Sequence, residues 1–253
     1  MQSWQILRHS ISMVVNNFGV AIRLATPLIA SMILSLIFFG QEAVGGIDYS
    51  MSDPSYDPMS AVSAGFATLI QAIAGLWVAV AWHRYILLEE TPQGLLPPFH
   101  VGRVLAYFGW GLLLVVIIAL IGGIIGGIGG LLASFGGIGS VIGVAVIIAT
   151  VLFIFYFSAR IYVILPSAAI GRTLSLSQAW NATNGYAGPI ILAYFFFVLG
   201  AILSGVLVGA ISMFAGLIGT FLMMALNLAL IMIGMSFLTT IYGITVEQRE
   251  LSS

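Results

Sequence analysis

Two stretches without a single charge set the terms on which this chain can fold. They run from 104 to 159, between Arg103 and Arg160, and from 173 to 246, between Arg172 and Glu247. No water-facing surface can be laid over such lengths without ionised groups. A membrane-crossing helix takes about 20 apolar residues, so each stretch has room for two crossings and a turn. The turns are legible as "GGIIGGIGGLLASFGGIG" (122–139) and "FAGLIGT" (214–220), where glycine tolerates a sharp reversal. Composition agrees, with 61% hydrophobic and 6% charged residues and a mean hydropathy of +1.17. Soluble domains carry about a quarter charged residues.

The pattern predicts an all-α polytopic bundle of six transmembrane helices with short cytoplasmic interfacial helices, forming one domain over residues 1–253. The crossings are expected near 19–40, 62–86, 102–125, 140–165, 187–212 and 218–244. Lipid offers backbone groups no partners, so crossings are helices or closed barrels, and these runs are too uniformly apolar for barrel alternation. Over residues 1–18, Trp4, Leu7, Ile11, Val14, Val15 and Phe18 fall on one helical arc, opposite Gln5, Arg8, His9, Ser12 and Asn16. That predicts an interfacial amphipathic helix feeding the first crossing. Arg23 within the apolar run argues against a cleaved signal peptide.

Six crossings place both ends, 87–101 and 166–186 on one side, and every arginine lies on or close to that side. The opposite side carries the acidic loop 41–60, with Glu42, Asp48, Asp53 and Asp57. The positive-inside rule makes the arginine side cytoplasmic. Arg8, Arg23, Arg84, Arg103, Arg160 and Arg172 are therefore candidates for contact with lipid phosphates or other anions, their heads snorkelling from apolar stems. Trp4, Trp82, Trp110 and Trp180 are expected as interfacial anchors, with all tryptophans in the cytoplasmic half. "SLSQ" (175–178) reads as a capping box opening a short surface helix after Pro166 interrupts the fourth crossing.

Catalytic chemistry is not legible. Without cysteine there is no disulfide, thiolate ligand or thiol nucleophile. His9, His83 and His100 show no metal-binding spacing, the glycine-rich stretch lacks the lysine of a phosphate loop, and a net charge of −1 offers nothing to nucleic acid. No enzyme activity, cofactor or metal is expected. The glycine spacings 122/126, 126/130 and 139/143 permit close helix approach. Gln71 and Asn227 are the deep polar side chains, suited to interhelical hydrogen bonds. A weak internal repeat relates "WVAVAWHRYILLEE" to "IFYFSARIYVILPS", each followed by a further arginine.

The stretch "ARIYVILPSAAIGRTLSLSQAWNATNG" (159–185) resembles a signature of bacterial six-span proteins. That group includes the YciC-like inner-membrane proteins and the membrane domain attached to some glycerophosphoryl diester phosphodiesterases. Arg160, Pro166, Ala179, Trp180, Thr183 and Gly185 carry the resemblance. It implies the six-span fold and a bacterial inner-membrane location, with cytoplasmic termini from the arginine bias. The interfacial segment of that group is usually basic, whereas "LSLSQAWNATNG" is uncharged. Too few residues follow Ile244 for a phosphodiesterase domain, so that activity is not expected. The functional expectation is a structural, lipid-interacting or complex-accessory role, with membrane lipids as partners and a larger membrane complex or homo-oligomer as further ones. The alternative is a facilitative pore or transporter for a small solute.

Overall fold

The computed structural model describes residues 2–39 and 58–250, and the four acids of the expected outer loop lie outside them. All regular structure among the described residues is helical. In order come α1 (Gln2–Asn16), α2 (Phe18–Leu24), α3 (Thr26–Phe39), α4 (Pro58–Leu88), α5 (Val101–Ser134) and α6 (Ile138–Ile161). Then follow α7 (Ile164–Ile170), α8 (Leu176–Ala182), a 3-10 turn at Asn184–Tyr186, and α9 (Ala187–Thr245). Four helical stretches are long and apolar enough to cross a membrane, and the bent pair α2–α3 makes a fifth. The bend of 58° falls just before Pro27, whose missing N–H breaks the ladder of intrahelical bonds.

Three antiparallel pairings organise the chain. Asn17 meets Tyr85 (2.8 Å) and Gln71 meets Ser35 (3.0 Å), so α2–α3 runs back along α4. The expected interhelical bond of Gln71 is thus present, whereas Asn227 is exposed. In the α5–α6 hairpin, Gly129 faces Gly143, and Gly122 faces Ile154. A Cβ on Gly143 would come within 2.4 Å of the Gly129 carbonyl oxygen, so glycine is what lets these backbones touch. Gly126 and Gly130, of the same spacing series, face open space.

The third pairing lies within α9. Gly216 has φ 51° and ψ −126°, outside helical geometry. Residues seven apart on an unbroken helix sit about 10 Å apart, yet a Cβ on Gly219 would lie 2.5 Å from the Cα of Ser212. Phe197 likewise approaches Gly234, and Tyr194 stacks near Phe237. The element is therefore two arms folded back on each other.

Several expectations need correction. The reversal in the third-to-fourth crossing occupies only Phe135–Gly137, so α5 extends to Ser134 rather than to about 125. The fourth helix breaks at Tyr162–Val163, and Pro166 sits in the first turn of α7, where its missing N–H costs nothing. Within α1 the buried face is Ser3, Ile6, Leu7 and Ser10, while Trp4, Ile11, Val15 and Phe18 beyond its end are exposed. Ser10 Oγ lies 3.1 Å from Thr240 Oγ1, and small side chains at 3 and 10 let α1 pack on the C-terminal arm of α9.

The core gathers at the arginine-bearing end. One cluster surrounds Trp82 with Leu24, Leu28, Val78 and Met232; the other joins Ile161, Ile164, Ile190 and Ile241. Trp82 is 0% exposed: it is a core residue of α4 clustered with Leu24 of α2 and Leu28 of α3, not the interfacial anchor expected. α7 is buried almost throughout. Away from this end, the arms of α5–α6 and α9 present apolar side chains on most sides.

Candidate functional site

Among the described residues the charged side chains gather toward the arginine end, and they divide into those consumed by the fold and those left outward. Arg160 belongs to the first class. It lies in the last turn of α6 and is 2% exposed. Its Nε donates to Thr183 Oγ1 (3.2 Å), one terminal nitrogen to Tyr156 OH (2.9 Å), and the other to the Trp180 carbonyl and Asn184 Oδ1 (3.3 Å). The guanidinium also stacks 3.8 Å above the Trp180 ring. The capping box places these acceptors: Ser175 Oγ accepts from the Gln178 amide (3.2 Å), and Gln178 Oε1 accepts from the Ser175 amide (2.8 Å). That fixes α8 so that Trp180 and Thr183 close over the arginine. The expected snorkelling of Arg160 to lipid phosphate is not what the geometry shows. Its donors point inward because three planar N–H directions are matched there by fixed acceptors.

Arg84 is consumed in the same sense. It pairs with Glu90 (2.6 Å) and reaches the Ala169 carbonyl at the end of α7 (3.4 Å), while Glu90 also binds His100 Nε2 (2.6 Å). Partial burial pushes the Glu90 carboxyl up, but the hydrogen bonds of His100 and Arg84, with their charges, outweigh it and hold the group below its ordinary value. Arg249 is tied to Glu247 (2.6 Å) and to the Leu87 carbonyl (3.3 Å).

The second class is Arg8, Arg23, Arg103 and Arg172, all exposed. Arg172 keeps one long contact to Glu247 (3.6 Å). Arg103 lies against Gly171, whose φ of 81° closes α7; the Arg172 amide donates back to the Ser167 carbonyl (2.9 Å) across that turn.

A neutral buried network lies beneath. His83 Nδ1 sits 2.8 Å from Thr239 Oγ1, and Nε2 sits 3.4 Å from Tyr107 OH. Thr239 spends its only proton on the Met235 carbonyl (2.8 Å), so its oxygen accepts from Nδ1–H, leaving Nε2 to accept from Tyr107. His83 is thus bonded on both sides by neutral partners and links α4, α5 and α9. His9 and His100 lie elsewhere.

Two clefts open at the same end, the second of them bordered by Thr239. One, of about 390 Å³, is lined by Gln2, Gln5, Tyr186, Gln248, Arg249 and Glu250 among others. The other, of about 230 Å³, is lined by His9, Met13, Leu87, Thr239, Arg249 and Glu250 among others. They share Ile244, Arg249 and Glu250, and bring α1 beside the segment after α9.

Of the expected anchors, Trp4 is exposed, Trp110 and Trp180 are half-buried, and Trp82 is in the core. Sequence reading missed Tyr156, Thr183 and Asn184 as partners of Arg160, although Thr183 stood in the signature. It also missed Glu90 and Glu247 as counter-ions, for which proximity to Arg84 and Arg249 in the sequence was the available signal. No protein-family model, curated protein or solved structure matches the chain.

Proposed function

We propose that this chain is a six-span bacterial inner-membrane protein with cytoplasmic termini. It serves a structural or complex-accessory role at the inner leaflet and is not an enzyme. On this reading it holds anionic lipid headgroups through Arg8, Arg23, Arg103 and Arg172. The observation that carries the proposal is the division among its arginines. Arg84, Arg160 and Arg249 are spent on internal acceptors, while among the described residues Arg8, Arg23 and Arg103 are exposed without an ion pair and Arg172 is exposed with only a 3.6 Å contact to Glu247. A guanidinium beside apolar surface gains most from a phosphate, which it meets with planar, charge-assisted hydrogen bonds. Each basic group near an anionic leaflet contributes about 1 kcal/mol of attraction.

Six crossings follow when α2–α3 counts as one and each arm of α9 as one. Membership of the YciC-like group is proposed on the same footing: Arg160, Trp180 and Thr183 of its signature meet in one structural unit here, the clasp of α8 over Arg160. Exposed Trp4, Ile11 and Val15 on α1 would lie in the acyl region beside the headgroups.

The test is lipid retention. The purified protein, reconstituted with phosphatidylglycerol, cardiolipin and phosphatidylethanolamine and then extracted gently, is weighed intact by native mass spectrometry. The wild type retains phosphatidylglycerol and cardiolipin over phosphatidylethanolamine. Replacing Arg8, Arg23, Arg103 and Arg172 with Gln removes most of that preference without changing the thermal unfolding midpoint. Equal retention by both proteins overturns the headgroup role. Saturable flux of a neutral or anionic solute from loaded vesicles, abolished by Arg23→Ala, would replace it with the pore.

A further inference from the structure

The two long hairpins reverse by the same device. Gly137 has φ 52° and ψ −128°, and Gly216 has φ 51° and ψ −126°; each follows a phenylalanine by two residues, Phe135 and Phe214. What surrounds these tips is not what water-exposed turns carry. From 111 to 155 and from 195 to 226 the sequence has no charged residue, no amide side chain, no tryptophan and no tyrosine, whereas turns in water draw on Asn, Asp and Pro. The outward side chains are large and apolar: Phe135 is 73% exposed, Ile138 80%, Met213 82% and Phe214 92%.

The hydroxyls of Ser134, Ser212 and Thr220 at the tips are turned inward. Ser134 donates to the Leu131 carbonyl, Ser212 to the carbonyls of Val208 and Gly219, and Thr220 to that of Gly216. Backbone amides do likewise: Phe135 bonds Leu132, Gly136 bonds Ala133, and Ser140 bonds Gly136. A turn that ties many of its polar groups to its own backbone and shows mostly hydrocarbon outward is suited to lipid. The lengths agree with that reading. From Arg103 to Ser134 the helix rises about 47 Å, and each arm of α9 about 43 Å. An upright arm would carry its tip more than 10 Å past a hydrocarbon layer about 30 Å thick, thrusting Phe135 and Phe214 into water. Only a lean of about 45–50°, steeper than most crossing helices adopt, avoids this.

We infer that both hairpin tips end among the acyl chains of the leaflet opposite the arginines, and that their arms lean steeply enough to keep them there. Acyl chains are the occupant rather than a second protein because the apolar surface wraps each pair of arms on most sides, instead of forming one face. Near the tips the arms touch chiefly each other, as at Gly143 with Gly129 and Ser212 with Gly219. The inference rests on the hairpins being embedded in lipid. It does not rest on the headgroup role of the arginines.

The absence of cysteine makes the test direct. Single substitutions Phe135→Cys, Ile138→Cys, Phe214→Cys and Ile218→Cys, with Glu250→Cys as the aqueous reference, are spin-labelled and reconstituted in phosphatidylcholine–phosphatidylglycerol vesicles. Collision with dissolved oxygen is compared with collision with a water-soluble nickel chelate. At all four tip positions oxygen contact exceeds nickel contact, the reverse of position 250. Nickel contact dominating at either tip shows it in water, and low contact with both reagents shows it covered by protein. Either result overturns the inference, and neither touches the lipid-retention result. Two positions per hairpin keep the outcome readable if one variant fails to fold.

Discussion

Arg160 brings a full charge to a site that is almost closed to solvent, and among the described residues no carboxylate lies within ion-pair distance. Burying an unpaired ion is costly. The compensation is dipolar: Arg160 sits in the last turn of α6, and the Trp180 carbonyl it binds belongs to the last turn of α8. Helix C-termini carry partial negative charge. Arg160→Lys keeps the charge but not the fork, so it cannot reach Thr183, Tyr156 and Trp180 together while lying on the Trp180 ring. Each acceptor orphaned in the interior costs about 1–3 kcal/mol. The Lys variant should therefore unfold several degrees below the wild type in detergent, close to Arg160→Gln, with a shifted Trp180 emission. A Lys variant as stable as the wild type would show that charge alone is what the site needs. Glu90 is the titratable counterpart. Its carboxyl is held below the ordinary value of 4.5, so its contribution is fully present above that value and is lost as pH falls through the folded one. Thermal midpoints of wild type and Glu90→Gln, measured from pH 7 down to pH 3, should converge on acidification. A constant gap would remove Glu90 from the acid response.

The helical elements are mostly legible in the sequence, and the misreadings have definite causes. "SLSQ" declares itself because a capping box is a local pattern, closed within four residues. The glycine-rich stretch 122–139 misleads. In lipid a glycine that leaves the helical ladder orphans its own peptide groups, so the helix persists to Ser134 and only Phe135–Gly137 turns. α1 misleads in another way. Most of its apolar arc (Trp4, Ile11, Val15 and Phe18) is exposed, while the face that packs on α9 joins Ile6 and Leu7 to Ser3 and Ser10, the latter bonded to Thr240. Periodicity reports which face avoids water; it does not report which face a neighbouring helix will take. The candidate site shows the same limit. That arginines collect at one end could be read from spacing, but which of them the fold consumes depended on Thr183, Asn184, Glu90 and Glu247 reaching them in space.

For the whole molecule, parity constrains topology more tightly than any count of apolar runs. Gln2 and Gln5 at the start of α1 line the same cleft as Gln248, Arg249 and Glu250 after α9. Ser10 lies against Thr240. Two chain ends that share a cleft lie on one side of any membrane the helices cross, which requires an even number of crossings. Arg249 also reaches the Leu87 carbonyl at the end of α4, and Arg84 at that end reaches Ala169 in α7. The segments near 90, 171 and 248 therefore belong to the same face as the ends. The six crossings proposed, with α9 taken as its two arms, are an even count compatible with these contacts. Fusions to a fluorescent protein that matures only in the cytoplasm, and to a phosphatase active only outside it, read this directly. Junctions after residues 92, 173 and 250 should fluoresce, and a junction within the acidic segment near Asp48 should yield phosphatase. A phosphatase signal at 173 alone would break the pairing of α5–α6 with α9. Phosphatase signals at 92, 173 and 250 together would keep the even count and invert the chain, moving the four exposed arginines to the outer leaflet and removing the electrostatic basis of the proposed headgroup role.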